Sequence, residues 1–233
     1  MIIFYLTKSA TEHLYPHSTV KTQGEVIERR QGEDIVIYDR DSNENKKADF
    51  VFHVHAIKVN RFYCIIALEK ETRWVHVIHN VKKGNVNDFI QRFHGRLISC
   101  IANMIVHAKP RAKAFLDMTI NNYAQSNNDM IFVLKTDRSC NTHITQTSWG
   151  YQNVVAEHGF PNNELDAMYF DMSENRFIKK MKGVKDYFCP AEVMLVKFCR
   201  NYTALTDDEI LVSVNRNRKA WIHPNAIDRE TLP

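Results

Sequence analysis

The feature that most constrains the fold lies between residues 49 and 108, where the hydrophobic period changes. ADFVFHVHAIKV, an Asn-Arg pair and FYCIIALEKETRWVHVIHNV alternate apolar and polar side chains, as strands do. They read as a three-stranded meander with a two-residue turn at Asn60 and Arg61. VNDFIQRFHGRLISCIANMIVHA then repeats its apolar residues at helical spacing. Asn85 is the expected N-cap, and Asp88 places a negative charge at the positive end of the helix. Val86, Phe89, Phe93, Leu97, Ile101, Met104, Ile105 and Ala108 form one apolar stripe.

The flanking segments extend this pattern. MIIFYL reads as a buried strand, and Ser9 with Glu12 matches a capping box opening a brief helix. DIVIY (34–38) and DMIFVLKT (129–136) read as strands, and the polar stretch 39–47 as a mobile loop. Pro110 suits the first turn of a second helix running through Phe115, Leu116, Thr119 and Tyr123. SWGYQNVVAEHGF reads as a helix ending at Gly159, and PAEVMLVKFCRNY as another that starts at Pro190. EILVSV follows a capping-box lookalike, Thr206 with Glu209, but its Val and Ile content favours a strand. The expected fold is α+β: an antiparallel sheet of about five strands packed against amphipathic helices. Residues 1–160 would form the core domain, with 161–233 as a C-terminal extension packed on the same core.

Composition narrows the function classes. Hydrophobic residues at 44% with 25% charged residues describe a globular chain. No apolar run reaches membrane-spanning length, and the N-terminus is not expected to be a signal peptide. Five cysteines without a C-x-x-C spacing suggest neither a zinc knuckle nor a redox dithiol, so a reducing cytoplasm is the expected compartment. With seven glycines there is no G-x-G-x-x-G and no Walker loop, and no cofactor is expected. The charge is uneven. Residues 51–120 hold 11 Lys/Arg against 4 Asp/Glu, a balance of +7, while residues 1–50 come to −2 and the remainder to −1.

Two groups of residues invite a chemical reading. His53 and His55 are two apart on one strand and share a face about 7 Å apart. If Leu68 stands opposite Trp74, His76 joins them on that face, one strand further away and about 10 Å from His55. Zinc needs its ligand atoms about 2 Å from one centre, so this row alone makes no metal site, and none is expected. Both faces of the meander are largely apolar, and a second subunit could cover one of them. KTDRSC (135–140) places Lys135, Thr136, Asp137, Arg138 and Ser139 where a strand gives way to a loop or helix. Asp137 or Ser139 could cap that helix, and Arg138 could hold an anion there. No nucleophile-elbow glycines surround Ser139.

Four features in this order resemble an uncharacterised bacterial family, a domain of unknown function. They are Met1-Ile2-Ile3, the aromatic-His-x-x-Ala strand from Phe52 to Ala56, and the Asn-Arg hairpin followed by Thr72-Arg73 and a helix with spaced phenylalanines. The fourth is Lys135-Thr136-Asp137-Arg138-Ser139. Members more often carry Trp where this chain has Phe52, and Gly soon after the Arg-Ser pair. The resemblance covers roughly residues 1–160 and implies no established activity. It implies that Arg73, Thr136, Arg138 and Ser139 share a surface.

Two functions follow as expectations. The first is a non-enzymatic binding or accessory module that engages nucleic acid or an acidic protein through its basic central segment. The second is an enzyme acting on a small anionic or phosphorylated substrate. Arg138 and Arg73 would anchor it, and His55 or His76 would act as acid or base.

Overall fold

Alternating stretches become strands and 3.6-period stretches become helices, in the order β1 (Ile2–Leu6), α1 (Lys8–Leu14), β2 (Val26–Arg30), β3 (Glu33–Ile37), β4 (Phe50–Val59), β5 (Phe62–Glu69), β6 (Val75–His79), α2 (Val86–Ala108), α3 (Lys113–Ser126), β7 (Met130–Leu134), α4 (Arg138–His158), α5 (Glu164–Arg176), α6 (Pro190–Tyr202) and α7 (Asp207–Ile222). This is a computed structural model, which describes residues 1–17, 26–30, 33–37, 48–108, 113–181, 183 and 185–222. The loop expected at 39–47 and the helix start at Pro110 lie outside the described residues. Among the described residues no helix is long and apolar enough to cross a membrane.

The α+β class holds, but the sheet is mixed rather than antiparallel. Its strand order is β3-β2-β7-β1-β4-β5-β6, with the β2–β3 hairpin extending a five-stranded centre. β1 lies between β4 and β7 and is parallel to both. Parallel neighbours are joined by crossovers instead of tight turns, and hydrophobic alternation says nothing about which strand lies beside which.

Within the meander, the first turn is as expected: Asn60 adopts φ 52°, Val59 pairs with Phe62, and His55 with Ile66. The second turn is one residue longer. Glu69 N–H donates to Trp74 O, Arg73 N–H donates to Glu69 O, and Arg73 takes φ 58°. Leu68 therefore pairs with Val75, and His76 with Ala67. A one-residue slip reverses every side chain beyond it. His53 and His55 share a face, and His76 points to the other.

Helices cover both faces. Phe4, Phe52, Val54, Ala67 and Ile78 pack under α1, α2, α3, α6 and α7 in one continuous core with Leu14, Phe93, Tyr123, Phe198 and Ile210. Phe4 sits at its centre, edge-on to Phe93 at 5.1 Å and stacked on Phe132 at 4.9 Å. The opposite face buries Cys64, Ile66, Leu68, Val75 and Val77 beneath Cys140, Ile144, Tyr151 and Val155, all from α4.

EILVSV is helical, not a strand. Thr206 and Glu209 form a true reciprocal box, Thr206 N–H donating to Glu209 Oε2 and Glu209 N–H to Thr206 Oγ1. Ile210 and Val214 then lie on one buried stripe. Capping and a buried face outweigh β propensity.

Candidate functional site

Strands β1 and β7 run side by side in the same direction and end level, Leu6 beside Leu134. The chain leaves β1 into α1, which packs with the larger core, and leaves β7 into α4, which packs on the opposite face. Adjacent parallel strands whose helices depart to opposite faces open a crevice at their carboxyl ends, a common ligand position in open sheets. Here it is a cleft of about 630 Å³ whose polar wall includes Thr7, Ser9, His55, Thr136, Asn141 and Thr145, with Lys8 and Glu12 also on it. Among the described residues Ile144 is its one apolar lining residue.

His55 is fixed by the start of α1. Thr7 is the N-cap, its hydroxyl accepting from Ala10 N–H, and it also lies 3.0 Å from His55 Nδ1. Ser9 Oγ lies 3.2 Å from the same nitrogen and donates its proton to Ala56 O. With that proton committed, Ser9 can only accept from the ring, which favours the Nδ1–H tautomer and leaves the Nε2 lone pair for a ligand. Burial lowers the His55 pKa, so the ring is neutral at neutral pH.

The first turn of α4 holds a second group. Asp137 caps the helix, its Oδ1 accepting from Ser139 and Cys140 N–H at 2.8 and 3.1 Å. Burial pushes this carboxyl up, but those two bonds and the charge of Arg73 outweigh it and hold it below its usual value. Arg73, buried in the β5–β6 turn, donates to Ser139 Oγ at 2.9 Å and to Cys140 Sγ. His53 is 1% exposed, edge-on to the Tyr5 ring, and neither ring nitrogen has a hydrogen-bond partner among the described residues. One donor atom each of His53, Asp137 and Cys140 lies within 4.8 Å of the others.

His76 belongs to a sealed network instead. Trp74 Nε1–H donates to His76 Nε2 at 2.9 Å, so the ring proton sits on Nδ1 and is donated to Asp171 Oδ2 at 2.8 Å. Arg96 donates to the same oxygen at 2.9 Å and also to Glu164, which Arg92 holds as well. Burial would lower the Arg96 pKa, but the two carboxylates raise it. This network bolts α2 and α5 to the edge strand β6. Its His76 and Asp171 end is fully buried, while Arg92, Arg96 and Glu164 line a separate cleft of about 650 Å³.

The seven residues expected from the sequence therefore separate. Arg73 and Ser139 meet in a hydrogen bond, and His55 and Thr136 line the crevice. Lys135 places its ammonium 5.0 Å from the Tyr5 ring centre, Arg138 is exposed on the first turn of α4, and His76 is buried. Thr7, Ser9, Asn141, Thr145 and Cys140 were not expected. Thr7 carried a signal, a hydroxyl residue directly after a strand and before a helix. Cys140 carried none, because its companions His53 and Arg73 come from distant parts of the chain. Of the basic central segment, Arg73, Arg92 and Arg96 turn inward to internal partners.

Neither a curated protein nor a solved structure matches the chain. A family model described as a domain of unknown function, DUF6933, matches residues 17–193, a range that takes in β2 to β7, α2 and the β4 and α4 parts of the site but not β1 or α1. The chain belongs to this DUF6933 family.

Proposed function

We propose that the protein binds a small hydroxylated or phosphorylated molecule in the crevice between α1 and α4, with His55 Nε2 as its hydrogen-bonding and proton-transfer group. One observation carries the reading: α1 and α4 diverge from adjacent parallel strands directly above a wall of hydroxyl and amide side chains. Such a wall satisfies a ligand with many hydroxyls or phosphoryl oxygens, and Lys8 supplies a cation. Chemical-shift mapping with a panel of sugars, nucleotides and phosphorylated metabolites tests it. The amides of Thr7–Ser9, His55 and Asn141–Thr145 should move, and Thr145→Trp, which fills the cleft, should abolish the shifts. A panel that moves none of these amides, or moves them equally in Thr145→Trp, rejects the reading.

A second reading has its own support. Lys58, Arg61, Lys82 and Lys83 are exposed and stand at the end of the sheet where β4 and β6 finish. These four suit nucleic acid or an acidic protein. Phosphate contacts would show as affinity that falls steeply with salt, and four charge reversals should remove it.

A further inference from the structure

We propose that His53, Asp137 and Cys140 form a binding site for one divalent transition metal of the zinc type. Local spacing offers no such site, since His53 and His55 supply only two ligands. The fold brings the other two donors from the cap and first turn of α4 to a ring on β4. One donor atom from each residue lies within 4.8 Å of the other two. Bonds of about 2.0–2.3 Å around a tetrahedral zinc set its ligand atoms roughly 3.3–3.7 Å apart. Closure takes side-chain movement of about 1 Å.

His53 carries the argument. A buried polar group normally has a partner, and leaving one unpaired costs about 1–3 kcal/mol. This ring, 1% exposed, has none among the described residues, yet it faces a carboxylate and a thiol. An ion held among the three would take the lone pair of one of its two unpartnered nitrogens. Asp137 uses Oδ1 for the cap, and no described residue donates to Oδ2.

Cys140 is a free, buried cysteine on the first turn of α4. Metal binding breaks the S–H bond, forms the S–metal bond and releases one proton to solvent. Arg73 already donates to this sulfur and would keep that bond to the thiolate, as an outer partner does in many metal sites. The carboxylate and thiolate balance the two charges of the ion. A nitrogen, oxygen and sulfur donor set favours Zn²⁺ over Mg²⁺ or Ca²⁺, which prefer oxygen. Three protein donors leave a fourth position for water or an exogenous ligand.

The experiment uses the full chain after chelator treatment, titrated with Co²⁺ and then Zn²⁺. One Co²⁺ per chain should bind with a thiolate-to-cobalt charge-transfer band, which Zn²⁺ then bleaches. Cys140→Ser should remove that band. His53→Gln and Asp137→Asn should weaken Zn²⁺ binding by at least about 100-fold, more than loss of an outer partner usually costs. Asp137→Asn keeps an oxygen at the cap, so α4 remains capped. Cys189→Ser should change nothing. A wild-type chain that takes up no Co²⁺, a cobalt spectrum without the thiolate band, or a band that persists in Cys140→Ser overturns the proposal. None of these three ligands lines the crevice, so shift mapping there succeeds or fails independently of this test.

Discussion

Asp171 shows how much one side chain can hold. Its two oxygens accept from His76, Arg96 and the backbone N–H of Val77, and both His76 and Asp171 are fully buried. Asp171→Ala would leave an imidazole N–H, a backbone N–H and the Nη1 donor of Arg96 without their acceptor, although Arg96 keeps Glu164. The expected loss is about 3–5 kcal/mol in urea unfolding, because three buried donors lose their acceptor at about 1–3 kcal/mol each. Asp171→Asn retains an acceptor for Val77 and should cost less. A loss under about 1 kcal/mol for the alanine variant would mean the interior is wetter than its geometry implies. In the sequence, His76 looked like His53 and His55, since all three sit in an alternating run. Only the length of the turn from Lys70 to Arg73 separates them, and the positive φ of Arg73 is not a conformation that arginine announces.

Edges and ends decide the elements. β6 is a sheet edge, and α5 closes it with side chains acting as a surrogate strand. Asn175 Oδ1 accepts from Val75 N–H and its Nδ2 donates to Val75 O, both at 2.7 Å. Asn175→Ala should cost about 1–3 kcal/mol and speed hydrogen exchange at the Val75 amide by at least tenfold, while amides of β1 remain protected. Unchanged exchange at Val75 would show that something else covers the edge. At α7, Thr206→Ala removes one half of the capping box and should lower stability by about 1 kcal/mol in the same assay. The segment EILVSV, expected as a strand, is helical for a definite reason. A Thr-x-x-Glu signal sets the helix start and outweighs six β-branched-rich residues. The Asn85 cap on α2 was legible, and its side chain accepts from Asp88 N–H at 3.1 Å.

At the scale of the molecule, buried neutral histidines make stability depend on pH. Burial holds His94 and His143 down to about 4, aided at His143 by the charges of Arg73 and Lys179, whereas an unfolded histidine titrates near 6.5. Between these values the unfolded chain binds protons that the folded chain does not. Stability is therefore complete above about pH 6.5 and falls as pH drops towards 4, by about 1.4 kcal/mol per pH unit for each ring. Urea midpoints at pH 7.5 and pH 5.0 check this, with the lower midpoint expected at pH 5.0; equal midpoints would contradict it. The sequence by itself determined what short-range physics controls: the α+β class, the β4–β5 hairpin register through its Asn-Arg turn, and the stripe of α2; it narrowed the α4 cap to Asp137 or Ser139. The tertiary structure decided the rest. It placed β1 between β7 and β4, turned His76 away from His53, and carried Arg73 and the α4 start to one point beneath β4. Periodicity reports which face of a segment is apolar, but strand order and convergence depend on how buried faces stack, which no local window contains.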